Sequence, residues 1–157
     1  MMPHFHLILG ITGGIILEKW GVISVAYFVW LILGSVAPDL DIFFSFLIKD
    51  QNHRRLPTHF PLPYLVGIFV FGFLGYPSFC WFFLGALLHV IIDVGDWGIF
   101  LFAPFSMNSY SLINLSYEEL TKGKTVWKFI QNYYQNSLIV ILEIANCILC
   151  LCVVLIL

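Results

Sequence analysis

The chain has 157 residues, 61% of them hydrophobic and only 10% charged, with a formal net charge of −2. Soluble domains carry roughly 25% charged residues, so a soluble globular fold is excluded and the solvent must be lipid. The small negative charge leaves no footprint for a nucleic-acid partner.

The apolar runs define an all-α, polytopic membrane helix bundle of about four or five transmembrane helices, each needing about 20 apolar residues or slightly fewer. Residues 5–17 form a short first segment that ends at Glu18-Lys19. It lacks the basic flank of a cleavable signal. A second run extends from Gly21 to Ala37, where Pro38, Asp39 and Asp41 interrupt it. Residues 42–48 continue that helix or turn along the interface, and 49–61 form a polar loop. A third segment covers about 62–76, and Gly75-Tyr76-Pro77-Ser78 turns the chain into a fourth at about 79–94. Residues 97–105 are apolar but too short to cross, so they read as re-entrant or interfacial.

The stretch 106–136 is the one substantially polar segment. Ser116 with Glu119 reads as a capping box that opens a short helix, and Gly123 reads as its stop. Trp127, Ile130 and Tyr134 then fall on one helical stripe, as expected of an interfacial helix. The last transmembrane helix covers 137–157. The whole chain thus reads as a single integral membrane domain with a motif core over 1–105 and an interfacial cytoplasmic segment over 106–136. Alternation of the early segments places Lys49, Arg54, Arg55, Lys122, Lys124 and Lys128 on one face and only Lys19 on the other. By the positive-inside rule the first face is cytoplasmic, which puts the N-terminus inside the cell membrane and the C-terminus outside.

Ionisable groups in membrane helices are costly and point to function by default. The same alternation brings His4, His6, Asp39, Asp41, His53, His59, His89, Asp93 and Asp96 to one depth. His89 and Asp93 stand four residues apart, hence on one helical face, where they can bind a cation or simply join two helices by a hydrogen bond. Asp39 and Asp41 point to opposite sides of a helix unless the backbone breaks, and Pro38 supplies a break. His53-Arg54-Arg55 also fits a basic loop against anionic headgroups. Four cysteines (Cys80, Cys147, Cys150, Cys152) all sit in apolar runs, where the residue behaves as a small hydrophobe. Glu143 lies in the last span without an evident partner.

Taken together, His6-Leu-Ile-Leu-Gly10, Val36-Ala-Pro-Asp-Leu-Asp41, His53-Arg54-Arg55, Thr58-His59 and Gly85-Ala-Leu-Leu-His89-Val-Ile-Ile-Asp93 resemble the YdjM-type family of membrane-bound, metal-dependent hydrolases. The order and approximate spacing of these pieces agree over about residues 4–105. That family is considered similar to zinc-dependent phospholipases C. The resemblance implies His6, Asp39, His59, His89 and Asp93 as metal ligands, and Asp41, Arg54 and Thr58 as groups around them or on the substrate. The cofactor expected on this ground is a divalent metal, zinc before others.

The reading that results is a hydrolase at the cytoplasmic interface, acting on a phosphoester of a lipid or lipid-linked substrate through metal-activated water. Asp41 or Asp96 would take the proton, Arg54 would steady an anionic oxygen, and Arg54, Arg55 and Thr58 would bind substrate. The alternative is a non-enzymatic membrane protein that binds or conducts a divalent cation, which would need a polar path across the bilayer. A haem protein with axial histidines fits less well, because the adjacent carboxylates favour hard or borderline metals.

Overall fold

The computed structural model describes residues 2–47, 52–113, 115–122 and 125–156. Lys49, Gly123 and Lys124, used above for orientation and for a helix stop, lie outside these. The principal helices are α1 (Pro3–Lys19), α2 (Val25–Val36), α3 (Pro61–Phe73), α4 (Pro77–Ile92), α5 (Tyr117–Leu120), α6 (Val126–Tyr134) and α7 (Ser137–Ile156). No strand occurs among the described residues; one isolated bridge joins Ile99 to Tyr110.

Helix boundaries follow local chemistry. α1, α3 and α4 each begin with proline at the first turn, where its missing N–H costs nothing. α2 stops at Val36, and after Pro38 the backbone tightens into a 3-10 helix, Pro38–Leu47. Ser116 accepts a hydrogen bond from the Glu119 backbone N–H, so the expected cap does open α5.

Among the described residues, three helical stretches are long and apolar enough to cross a membrane: Val25–Ser45, Pro77–Gly95 and Ser137–Ile156. α3 is apolar but only 13 residues long. α1, at 17 residues, is diluted by His4, His6, Thr12, Glu18 and Lys19. All five long helices join one bundle, the all-α membrane architecture expected from the hydropathy runs.

Their spatial order is α7, α1, α2, α4, α3, as each packs mainly on its neighbours in that series. α2 and α4 run parallel and unusually close. A Cβ on Gly34 would collide with the Phe82 carbonyl oxygen, and one on Gly85 with the Leu31 carbonyl oxygen, the small-residue contact by which membrane helices associate without a hydrophobic drive. α1 and α7 also run the same way: Phe5 receives a hydrogen bond from Asn146 on its carbonyl, and His4 meets Glu143.

One end of the bundle is closed by two short 3-10 turns, His53–Arg55 and Pro57–His59, and by the segment around Trp97–Ala103. Trp97, Gly98, Ile99, Phe100 and Ala103 are buried there. Gly98 adopts φ +83°, and a Cβ would strike Tyr110 and Ser109, so glycine is required at this turn. From α6, Phe129 and Tyr133 pack against Trp97.

Candidate metal centre

The closed end gathers the ionisable residues because parallel α2 and α4 finish at the same level. The chain leaving α2 presents Asp39, the end of α4 presents His89 and Asp93, and the turn Pro57–His59 brings His59 between them. His89 Nε2 lies 3.5 Å from Asp39 Oδ1 and 3.6 Å from Asp93 Oδ2. His59 Nε2 lies 3.9 Å from Asp39 Oδ1 and 3.7 Å from Asp93 Oδ2. Zinc ligands at about 2.0–2.1 Å put tetrahedron corners about 3.4 Å apart, and these four donors stand a few tenths of an ångström wider.

The histidines are oriented for such a role. His89 Nδ1 donates to the Ser35 carbonyl oxygen at 2.7 Å, and His59 Nδ1 to Asp41 Oδ2 at 2.9 Å. Each therefore turns its Nε2 inward, and both Nε2 atoms are buried with no hydrogen-bond partner among the described residues. Carboxylate or carbonyl acceptors behind imidazole ligands are the usual way of fixing the tautomer at a metal. Thr58 Oγ1 also donates to Asp41 Oδ2.

His6 occupies a different place from the other four. Its Nε2 meets Asp93 Oδ1 at 3.0 Å, and its ring stacks on His89 with centroids 3.7 Å apart. It thus grips the outer oxygen of Asp93, while Oδ2 faces the histidines. His53 stands beside Asp39, its Nε2 4.0 Å from Oδ1. Burial, reinforced by His59 and Arg54, pushes the His53 pKa down to about 4, so its imidazole is neutral at neutral pH. Asp41, His53 and His59 form a second group whose donors lie within 4.8 Å of one another.

Arg54 and Asp96 depart from the roles expected of them. The Arg54 guanidinium is wholly buried. It binds Asp96 Oδ1 at 2.5 Å, Asp96 Oδ2 at 3.2 Å, Asp93 Oδ1 at 2.8 Å and the carbonyls of Asp93 and Gly98. It also lies 3.6 Å above the Trp97 ring centroid. Burial opposes its charge, but Asp93 and Asp96 outweigh that and hold its pKa above the ordinary value. Burial likewise opposes the Asp96 carboxylate, and Arg54 prevails, keeping it below the usual carboxylate range. Arg54 is spent on these carboxylates rather than presented to a substrate, and Asp96 is the anion of a buried ion pair rather than an available base. Arg55 and Thr58 are exposed, with the Arg55 guanidinium 5.7 Å from the Phe100 ring centroid.

Two further groups find partners that hydropathy alone could not supply. Glu143 accepts from Tyr134 Oη at 2.7 Å and lies 3.1 Å from His4 Nε2. Tyr134 is therefore tied to α7, whereas Trp127 is exposed as an interfacial anchor would be. The cysteines join no metal-binding group among the described residues.

Asp93 and Asp96 are buried against the Arg54 guanidinium, and Asp39 Oδ2 and Asp41 Oδ1 are buried with no hydrogen-bond partner among the described residues. Fold and cluster together define an all-helical membrane protein with a buried His/Asp group able to hold a metal ion. The chain belongs to the YdjM inner membrane protein family, whose family model matches residues 1–157. No curated protein and no solved structure is similar enough to the chain to count as a match.

Proposed function

We propose that this protein is a membrane-embedded, metal-dependent hydrolase that acts at the cytoplasmic interface on a phosphoester of a lipid or lipid-linked substrate. The observation that carries the reading is the four-donor group of Asp39, His59, His89 and Asp93, with its two histidines held from behind. Two imidazoles and two carboxylates suit a borderline ion, zinc before magnesium or calcium. Such an ion, when bound, would supply Lewis acidity and bring the pKa of water down towards about 7.

The chain's own residues divide the remaining work. Asp41 orients His59 through Oδ2, while its Oδ1 is buried with no hydrogen-bond partner among the described residues and is the oxygen we assign to take a proton. Arg54 fixes Asp93, and His6 fixes the same carboxylate from the other side. Arg55, exposed on the neighbouring turn, is the cation we assign to the phosphoryl group. Asp39 and His53 keep 11% of their side chains exposed, so approach is from their side. A cation-conducting role is less well supported, because the space beyond His6 and His89 is walled mainly by leucine, isoleucine and glycine.

Metal analysis of the detergent-purified protein, followed by a phosphoester panel, tests the reading. Asp39→Asn and His89→Ala should each lose most of the bound metal while the protein still inserts and purifies. Cys150→Ala, in the last span, should keep it. Full metal content in both ligand variants would sink the proposed ligand set. Metal retention without turnover of any phosphoester would sink the hydrolase assignment alone.

A further inference from the structure

The short helices α5 and α6 and the link into α7 surround an open-sided cleft of about 520 Å³ at the closed end of the bundle. That lies within the ~300–1,000 Å³ usual for sites that take small molecules. Lys122, just after α5, and Lys128, on α6, both line it, together with Glu119, Asn132 and Gln135. None of the candidate metal ligands is among its lining residues, so it is a separate place on the molecule.

The frame of the cleft is fixed. The Asn132 side-chain amide donates to the carbonyl oxygens of Glu119, Leu120 and Lys122 at 3.1–3.2 Å, which ties the end of α5 to α6. Leu120 is fully buried beside Trp97, Tyr133 and Ile139. Thr125 caps α6 by accepting from the Lys128 backbone N–H, and Asn136 accepts from that of Leu138 where α7 begins. Lys122, Lys128 and Gln135 are themselves exposed.

Depth and charge identify what fills it. Gln135 and Asn136 stand immediately before the apolar span Ser137–Ile156, so the cleft lies where α7 enters the bilayer, at the level of lipid phosphates. Trp127, next to Lys128, is 69% exposed, the placement of an aromatic residue in the headgroup layer. Glu119 is the one carboxylate in the lining among the described residues, so two ammonium groups leave the cleft with an excess of positive charge. Just beyond it, Leu138, Ile141 and Leu142 present exposed apolar side chains on one face of α7, along which acyl chains can run.

We propose that this cleft binds the headgroup of an anionic phospholipid, with its phosphate on Lys122 and Lys128 and its tails along α7. The lipid is a fixed component here and not a substrate, so the inference does not depend on the hydrolase reading. Bound there, it clamps the α5–α6 unit, whose Phe129 and Tyr133 pack on Trp97 beside Arg54.

Native mass spectrometry tests this on the full chain, released from neutral detergent that carries equal amounts of phosphatidylglycerol and phosphatidylcholine. The protein should retain one phosphatidylglycerol in preference to phosphatidylcholine. A lysine near anionic lipid contributes roughly fivefold in affinity, so Lys122→Gln combined with Lys128→Gln should weaken retention roughly 25-fold. Arginine at both positions should restore it, and Lys19→Gln, at the other end of the bundle, should leave it unchanged. Equal retention of the two lipids, or a preference that survives loss of both lysines, would overturn the site. Glycerol 3-phosphate separates a lipid headgroup from a soluble phosphate ester: if it displaces the lipid with comparable affinity, the lipid assignment fails. Asp39→Asn, which should empty the metal centre, should keep the lipid; its loss there would place the binding at the metal centre and not in the cleft.

Discussion

Arg54 shows how much of the site depends on one fully buried side chain. Removing its guanidinium takes a cation away from the buried Asp93 and Asp96 carboxylates, and breaking a buried pair in this way costs about 3–5 kcal/mol. Arg54→Ala should therefore lower the unfolding midpoint sharply in detergent, whereas Arg55→Ala, at an exposed position, should leave it nearly unchanged. Equal small effects would mean that the ion pair is not what holds Asp93. Asp41→Asn isolates the support of His59: the carboxylate acceptor is lost while size is kept. Loss of such a partner typically costs about 10–100-fold in metal affinity, which competition with a chelator would measure. At this scale the sequence was informative about which residues share a depth and silent about which atoms meet. A basic His-Arg-Arg loop looks solvated because nothing in its composition says that it folds inward. Ser35 acts through its backbone carbonyl, and a main-chain acceptor leaves no trace in residue type.

The elements were easier to read, because helix breakers and small residues act locally. Pro38 does end the regular helix, which lets Asp39 and Asp41 reach His59 from different sides. Asp93 caps α4 one turn beyond His89, so the expected pair survives even though the helix stops between them. The contact that sets both at one level is the close approach of Gly34 and Gly85 to the facing backbones. Gly85→Val would drive a branched side chain into the Leu31 carbonyl. Overpacking of this kind costs about 1–3 kcal/mol, and separation of the helices should also pull Asp39 away from His89. We expect reduced thermal stability together with weakened metal binding, measured on the same sample. Unchanged metal affinity at lowered stability would show that the cluster does not depend on the α2–α4 register.

Across the whole molecule, the distribution of basic residues leads us to expect the closed end on the cytoplasmic side. Ser109 lies exposed near that end, so Ser109→Cys should resist a membrane-impermeant thiol reagent applied to intact cells and react after lysis. Efficient labelling from outside would reverse the orientation and move the metal centre to the other face. The apolar character of the chain made the bundle evident, but not its neighbour order. Hydropathy records which segments prefer lipid; it carries no information on which helix lies beside which. The partners of Glu143 illustrate this, since His4 and Tyr134 come from opposite ends of the sequence.

That contact has a consequence for how the protein is made. α1 is synthesised well before α7, yet Asn146 and Glu143 of α7 hold the start of α1 beside His6. Until α7 is made, then, α1 lacks these two contacts and has only its packing on α2 to set its position. A nascent chain halted before residue 137 already contains every proposed ligand, but it should take up the ion more weakly than the released protein does.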